Sequence, residues 1–138
     1  MPTARALPAI VRRRSSISGW GVFAGEPINK NRRIIDYAGE LITQQESDRR
    51  ERVYLPRQRI WCFTVDGGWA RDAAVGGNVA RFINHACRGN CYVEIDGRTI
   101  WIRAAKAIPP GEELTYDYST GGIAGIECRC RPGCDTIL

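Results

Sequence analysis

The sequence predicts a single, mainly β domain. Its 138 residues suit one domain with one hydrophobic core. Apolar residues recur in short runs bounded by glycine, aspartate or proline, which is typical of short strands joined by tight turns, and a clear signal for a longer helix occurs once. Hydrophobic residues make up 43% of the chain without a long apolar run. This composition excludes intrinsic disorder, a collagen-like repeat and a membrane-spanning helix.

The first 42 residues predict two pairs of strands. Residues Ile10–Ala24 indicate a strand, a turn at Ser18–Gly21 and a second strand Val22–Ala24. Residues 32–42 predict another strand pair around Gly39. The short apolar stretch before them, Ala6–Val11, contains a proline and is followed by three arginines, which is the wrong polarity for a signal peptide.

The residues that follow predict a helix from about Gln44 to Tyr54. Thr43–Glu46 has the spacing of a capping box, in which a hydroxyl and a carboxylate satisfy free amides at a helix start. Pro56 is expected to end the helix. Two acid and arginine pairs have the i,i+4 spacing that stabilises a helix, namely Glu46 with Arg50 and Asp48 with Arg52.

The second half of the chain predicts further strands and one short helical turn. An Asp66–Gly68 turn joins the first two strands, and Asp96-Gly97 marks a tight hairpin between the next two. The predicted segments are strands Ile60–Val65 and Trp69–Val75, a helical turn Val79–Asn84, strands Tyr92–Ile95 and Arg98–Ala104, and a last strand Glu113–Tyr118. A glycine-rich stretch, Gly121–Gly125, separates this body from a cysteine-rich end.

Charge alone does not identify a partner. The chain has 20 Lys and Arg against 15 Asp and Glu, a net charge of +5, and its only lysines are Lys30 and Lys106. A basic balance suggests chromatin, nucleic acid or another acidic partner. An arginine bias also arises from the base composition of a genome, so both interpretations stay open.

The cysteines predict a metal site. Three of the six, Cys128, Cys130 and Cys134, fall within the last eleven residues. Zinc binds four thiolate or imidazole ligands in a tetrahedron, so one more ligand must come from elsewhere, and Cys87 and Cys91 are candidates. Cys62 lies in a strand pattern typical of a small core residue. A metal-free tail or a redox pair is the alternative.

Three other groups of residues could carry chemistry, and each has a structural alternative. His85, the only histidine, suits a general base or a metal ligand but equally a packed histidine. Gly19-Trp20-Gly21 could bring backbone close to a ligand or form an ordinary turn. Glu112-Glu113 before Tyr116-Asp117-Tyr118 resembles a general-acid cluster, although tyrosines alternating on a strand usually pack.

Taken in chain order, five segments closely resemble a SET-domain protein lysine methyltransferase with a post-SET zinc-binding tail. They are Ser18–Ala24, Ile35–Ile42, Gly77–Cys87, Gly111–Tyr118 and the terminal cysteines. The resemblance implies a fold of small twisted sheets with a C-terminal pseudoknot, a SET domain over residues 8–120 and a post-SET segment over residues 126–138.

The resemblance also implies that S-adenosylmethionine binds on one face and the target lysine enters from the other. Catalytic roles would fall to Tyr118, which orients the reacting centre, Tyr37 in the wall of the lysine channel, and Tyr116, where a hydroxyl biases the enzyme to monomethylation. Cofactor-binding roles would fall to Ser18, Gly19, Trp20, Gly21, Trp61, Arg81, Asn84 and His85. His85 would act mainly through its main chain.

By the same resemblance, Cys87 would join Cys128, Cys130 and Cys134 as the ligands of a structural zinc ion. Two departures from the family pattern concern this region. Cys130 and Cys134 are separated by three residues where the family usually has four, and Arg88-Gly89 stands where the family often has proline.

The expected partner is a protein that presents a lysine, such as a histone tail or another basic protein, without direct binding to nucleic acid or a membrane. Homodimer formation is a further hypothesis. Compactness and the arginine excess predict a minimal bacterial enzyme located in the cytoplasm or, if it is an effector, delivered to a host nucleus. A catalytically silent SET-like peptide-binding module is the main alternative, and a nucleic-acid-binding zinc protein is a weaker one.

Overall fold

Short strands make up most of the regular structure. The structure, a computed structural model, describes residues 6–138 of the chain, and no helix within that range is long and apolar enough to cross a lipid bilayer. The strands are β1 (Ile10–Arg14), β2 (Trp20–Ala24), β3 (Arg33–Asp36), β4 (Glu40–Thr43), β5 (Cys62–Asp66), β6 (Trp69–Asp72), β7 (Asn84–His85), β8 (Cys91–Asp96), β9 (Thr99–Ala104) and β10 (Thr115–Tyr116). Helix α1 is Gln44–Tyr54, and Leu55–Arg57 and Val79–Phe82 form 3₁₀ turns. The mainly β prediction is confirmed.

The strands form four small sheets. β1 and β2 make an antiparallel hairpin, as predicted. The other sheets have the orders β3-β9-β8, β4-β6-β5 and β10-β7, and only the last is parallel. The pairing predicted within residues 32–42 is wrong, because β3 pairs with β9 and β4 with β6. At Gly39 the chain leaves one sheet for the next, and a Cβ there would collide with the backbone of Asp72.

Helix α1 has the predicted bounds. The Thr43 hydroxyl accepts a hydrogen bond from the Glu46 backbone N–H at 3.2 Å, and Glu46 forms an ion pair with Arg50 at 2.9 Å. The predicted pair between Asp48 and Arg52 does not form among the described residues, because the Asp48 carboxylate instead accepts from the Gln44 side-chain amide at 3.0 Å. Pro56 lies in the 3₁₀ turn that follows the helix.

Several predicted boundaries shift in the structure, and two of the shifts show how pairing partners decide them. In the β8–β9 hairpin Asp96 pairs with Thr99, so the loop residues are Gly97 and Arg98, one position later than predicted, and Gly97 has the positive φ of 61° that the tight turn requires. The last strand shortens to β10, which threads beside β7 in parallel. This threading places the Asn84-His85 segment directly against the Thr115–Tyr118 segment.

The core lies between the sheets. Its largest fully buried side chains are aliphatic: Val22, Ile28, Ile34, Ile83, Ile102, Ile108 and Leu114. Cys62 is also buried and packs with Ile42 and Ala70, which confirms its prediction as a core residue. Cys91 is buried in the larger cluster.

A buried carboxylate on β6 holds helix α1 against the β4-β6-β5 sheet. Asp72 on β6 is fully buried and accepts hydrogen bonds at 2.8 Å from the Arg50 guanidinium and the Tyr54 hydroxyl of α1. Arg50 also contacts Glu40 and Glu46. Removing one partner of a buried ion pair leaves an uncompensated charge, which is strongly destabilising.

We therefore expect Arg50→Ala to lower the free energy of unfolding by about 2 kcal/mol, measured by urea denaturation. Arg49→Ala is the matched control, because Arg49 lies on the same helix with a side chain 65% exposed. We expect little change from this control. Equal effects of the two substitutions would show that the buried pair contributes nothing specific.

Candidate active site

A cleft of about 380 Å³ opens beside the β1–β2 hairpin. Its walls come from the hairpin loop, the segment around β7 and the C-terminal tail. Among the residues predicted to bind a cofactor, seven line it: Ser18, Gly19, Trp20, Trp61, Arg81, Asn84 and His85. Four tail residues complete the wall: Ile126, Glu127, Arg129 and Leu138.

The hairpin loop is held against β7 by one side-chain amide. Asn84 donates hydrogen bonds to the backbone carbonyls of Ser18 at 3.3 Å and Trp20 at 3.0 Å, and to the Glu113 carboxylate at 2.9 Å. The parallel pairing of β7 with β10 brings Asn84 and Glu113 together across 29 residues of sequence. Asn84 therefore shapes the cleft by fixing the loop backbone.

Gly21 does not line the cleft, but its lack of a side chain allows the packing that holds the hairpin loop. A Cβ at this position would collide with the Glu113 carboxylate and lie 2.9 Å from Cβ of Ser15. The same carboxylate accepts from the Ser15 hydroxyl at 2.8 Å. Only glycine leaves room for this arrangement. Glu113 is engaged in hydrogen bonds that hold the loop, which supports the structural interpretation of this acid rather than the general-acid one.

His85 is buried in the wall between the cleft and the tail. Its Nδ1 accepts a hydrogen bond from the Tyr118 backbone N–H at 3.0 Å. Burial lowers the pKa of His85, and the opposing effect of Asp117 is smaller. The ring is therefore neutral at physiological pH with one nitrogen already engaged, which fits a packed histidine rather than a general base.

Arg81 and Trp61 form one side of the cleft. The Arg81 guanidinium lies over the rings of Phe82, at 4.8 Å from its centroid, and Trp61, at 5.7 Å, which is within the range of cation–π contacts. The Trp61 carbonyl accepts a hydrogen bond from the Tyr37 hydroxyl at 2.8 Å. This bond links the cleft to a second cavity.

The second cavity is a groove of about 500 Å³. Its aromatic floor consists of Tyr37, Tyr116 and Tyr118 around Phe63, with ring centroids 4.9, 6.2 and 5.3 Å from that of Phe63. Burial raises the pKa of all three tyrosines. They therefore remain neutral hydroxyls at physiological pH and can act as hydrogen-bonding groups but not as phenolate bases.

The two cavities meet at Tyr118. Tyr118 and Ile60 line both of them. The Tyr118 hydroxyl donates a short hydrogen bond to the Ile83 carbonyl, and its ring packs edge-on against His85 at 5.3 Å. A group bound in the cleft and a group bound in the groove would therefore approach each other at one tyrosine.

Four cysteines gather where the tail meets the segment that follows β7. The Sγ atoms of Cys87, Cys128, Cys130 and Cys134 all lie within 4.8 Å of one another, and Cys87 is 3.8 Å from both Cys128 and Cys134. A zinc tetrahedron with Zn–S bonds of about 2.3 Å has edges of about 3.8 Å. The donor set and its spacing thus fit zinc, and the three-residue interval before Cys134 does not prevent the cluster. Cys91, the alternative fourth ligand, is buried apart from it.

A sequence profile of the SET domain matches residues 19–119. The chain belongs to the SET domain family. The matched residues include the hairpin loop from Gly19, the paired strands β7 and β10, and Tyr118. The profile does not extend over the cysteine-rich tail.

Curated SET-domain relatives are similar over most of this chain. It is 41% identical over 136 residues to a histone-lysine N-methyltransferase, H3 lysine-4 specific, of Debaryomyces hansenii, and 42% identical over 136 residues to the protein of the same name of Yarrowia lipolytica. Both alignments cover 91% of this chain and 12% of the relative. The chain therefore spans a small part of the length of these proteins.

Solved structures are also similar to this chain. The chain matches Polycomb Repressive Complex 2 of Chaetomium thermophilum, in an autoinhibited conformation bound to S-adenosylmethionine, with a TM-score of 0.74 and 36% identity over 83% of this chain and 15% of that chain. An apo, autoinhibited form of the same complex matches with a TM-score of 0.73. The SET-domain part of the resemblance stated from sequence is thus confirmed, whereas the post-SET tail stays a prediction.

Some residues of the SET-domain site have no signal of their own in the sequence. The cleft lining by Ile126, Glu127, Arg129 and Leu138 depends on where the tail folds back, which no local pattern specifies. Phe63, the centre of the aromatic floor, lies in an ordinary strand pattern. Alternation along β5 puts Phe63 on one face of the sheet. Only the pairing of β5 with β6 reveals that this face borders the groove.

Proposed function

We propose that this chain is an S-adenosylmethionine-dependent protein-lysine N-methyltransferase. The observation that carries the proposal is the meeting of two cavities at Tyr118, one suited to a cofactor and the other to a side chain of a second molecule. The names of the fungal relatives and the S-adenosylmethionine complex of the similar structure support it.

The cleft residues suit a nucleoside with a charged tail. Backbone groups of Ser18, Gly19 and Trp20, fixed by Asn84, offer hydrogen-bonding groups, and the Trp20 and Phe82 rings offer apolar surface. When bound there, S-adenosylmethionine supplies an electrophilic methyl group. The protein's part is to hold the donor and to exclude water from the junction at Tyr118.

The groove residues would bring a lysine to that junction as a neutral amine. An ammonium has no lone pair, and at a pKa of about 10.4 roughly one lysine in a thousand is neutral near pH 7.4, a cost of about 4 kcal/mol. The buried aromatic floor of Tyr37 and Tyr116 disfavours the charged form and lowers this cost. No general base is required, and alignment of the reacting atoms supplies the remaining acceleration.

The Cys cluster and the segment over residues 126–138 are proposed to form a post-SET zinc site attached to a SET domain over residues 8–120. The fit of four thiols to a zinc tetrahedron supports this division. Because tail residues line the cofactor cleft, the zinc ion would also keep one wall of that cleft in place.

The substrate is proposed to be a histone tail or another basic protein. A transfer assay with isotopically labelled methyl donor, histones and abundant basic bacterial proteins tests this function. We expect label on lysine of at least one substrate. Cofactor binding without transfer to any of them would instead favour the catalytically silent peptide-binding module.

Tyr116 is proposed to bias the product to monomethyllysine. Its largely buried side chain lines the groove, and its hydroxyl would crowd the amine against the rotation that a second transfer needs. We expect Tyr116→Phe to add dimethyllysine and trimethyllysine to the products, detected by mass spectrometry of the peptide. A variant that adds no more methyl groups than the wild type would remove this role.

A bacterial origin, with location in the cytoplasm or delivery to a host nucleus, remains a proposal supported by the arginine-rich composition. The relatives named above are fungal and do not favour a bacterial source. A homodimer is likewise proposed, and size-exclusion chromatography at several concentrations tests it.

A further inference from the structure

One face of helix α1 borders the groove and carries acids but no arginine. Gln44, Asp48, Glu51 and Leu55 line the groove, and their spacing of four, three and four residues places them on the same side of a helix. The arginines of the helix are absent from this lining: Arg49, Arg50 and Arg52.

The acids on this face lack cationic partners. Among the described residues, no lysine or arginine nitrogen lies within 4.0 Å of the Asp48 or Glu51 carboxylates, whereas Glu46 on the other side of the helix pairs with two arginines. Asp117 also lines the groove and accepts a hydrogen bond from the Ser119 backbone N–H at 2.8 Å, and no lysine or arginine nitrogen of the described residues lies within 4.0 Å of its carboxylate. The groove therefore carries uncompensated negative charge in a chain whose net charge is +5.

Two hydroxyls in the groove lining have no hydrogen-bonding partner among residues 6–138, which leaves both available to a ligand. Tyr116 is 3% exposed, lines the groove, and its hydroxyl makes no hydrogen bond within residues 6–138. The Thr120 hydroxyl in the same lining is buried without a partner. Buried polar groups normally have hydrogen-bonding partners, so an occupant with polar groups is expected here.

The part of the groove lining formed by β8 suits an extended peptide. Val93 and Ile95 of β8 line the groove and are 40% and 43% exposed. β8 is the edge strand of its sheet. A peptide strand that runs along such an edge sends alternate side chains to opposite sides, so residues near the target would meet apolar surface on one side and Asp48 and Glu51 on the other.

We propose that the groove selects peptides in which basic residues flank the target lysine, and that Asp48 and Glu51 are the residues that recognise them. The claim that the groove binds a target lysine rests on the proposed function. The flanking preference rests on the charge of the groove and can be measured separately.

The test uses two peptides with a single central lysine, flanked on both sides by arginine in one and by glutamate in the other. We expect kcat/KM to be about tenfold higher for the arginine-flanked peptide, the size that two partly exposed ion pairs provide, and the ratio to fall with added salt. Asp48→Asn with Glu51→Gln should reduce the ratio to about twofold, and Asp48→Lys with Glu51→Lys should invert it.

A control matched to Asp48→Asn with Glu51→Gln changes the charge of the helix by the same two positive units outside the groove. Gln45→Lys with Val53→Lys adds two positive charges at exposed positions that do not line it. We expect this variant to keep the ratio of the wild type. An equal loss of the ratio in this control and in Asp48→Asn with Glu51→Gln would show a general effect of net charge and contradict the proposal. No preference of the wild type for the arginine-flanked peptide would also overturn it.

Failure of this proposal can be distinguished from failure of the proposed function. Fluorescence anisotropy of the two labelled peptides, with S-adenosylhomocysteine present, measures the preference without any transfer. Tighter binding of the arginine-flanked peptide without methylation would contradict the proposed function alone. Methylation of both peptides with equal kcat/KM and equal affinity would contradict the role of Asp48 and Glu51 alone.

Discussion

Tyr118→Phe is expected to lower kcat for methyl transfer by about 10²-fold to 10³-fold. Tyr118 lines both cavities, and its hydroxyl, held by the Ile83 carbonyl, is the polar group positioned where the amine would meet the methyl donor. Removing one positioned hydrogen-bonding group from a reacting centre typically has an effect of this size. The ring contacts with Phe63 and Tyr116 would remain, so the fold should persist.

Two measurements separate a catalytic effect from a structural one. The affinity for S-adenosylmethionine, measured by calorimetric titration, should change by no more than about twofold, because the loss arises in the transition state. Tyr92→Phe is the matched control, since it removes a hydroxyl whose one hydrogen-bonding partner among the described residues is Asn31 on the exposed surface. Turnover of Tyr118→Phe at the level of this control would contradict the assignment.

Removal of zinc is expected to have the largest effect on stability. The four cysteines place their sulfur atoms at the spacing of a zinc tetrahedron, and structural zinc sites contribute much of the folding free energy of small segments. The tail also supplies part of the cofactor cleft, including Ile126 and Leu138. A strong chelator should therefore lower the Tm and weaken S-adenosylmethionine binding by at least about tenfold.

Metal analysis of the purified protein should give about one zinc ion per chain. Cys134→Ser should lose most of this zinc, whereas Cys62→Ala, which alters a thiol in the core away from the cluster, should retain it. Protein without zinc that keeps its Tm and its affinity for the cofactor would show that the cysteine tail has no metal-dependent role.

Local patterns in the sequence predict the elements of this fold better than their partners. Helix α1 begins and ends as predicted because Thr43 caps it and an i,i+4 pair supports it, and both causes lie within a few residues. The assignment of β3 to β9 and of β4 to β6 depends on contacts between residues far apart in sequence. Position 39 has no room for a side chain because the backbone of Asp72 on β6 passes close to it, and the sequence around Gly39 does not reveal this contact.

The functional site shows the same difference between what local patterns predict and what distant contacts decide. The order of motifs identifies the family and points to candidate site residues, and the structure places Asn84 and Tyr118 in the lining of the cleft. The sequence does not predict that the Asp48 side chain bonds to Gln44 instead of Arg52 and lines the groove. Helical spacing makes that ion pair possible, but the Gln44 amide competes for the same carboxylate. Such competition between neighbours is decided by side-chain geometry, not by spacing alone.

A crystal structure of the protein with S-adenosylhomocysteine and a lysine-containing peptide tests the central claim most directly. We expect the nucleoside in the cleft beside Trp20 and Asn84, the peptide in the groove, and the lysine side chain passing between Tyr37 and Tyr116 to reach Tyr118. The lysine nitrogen should point at the sulfur atom from the opposite side. Both ligands in the same cavity, or a lysine that does not reach Tyr118, would contradict the account.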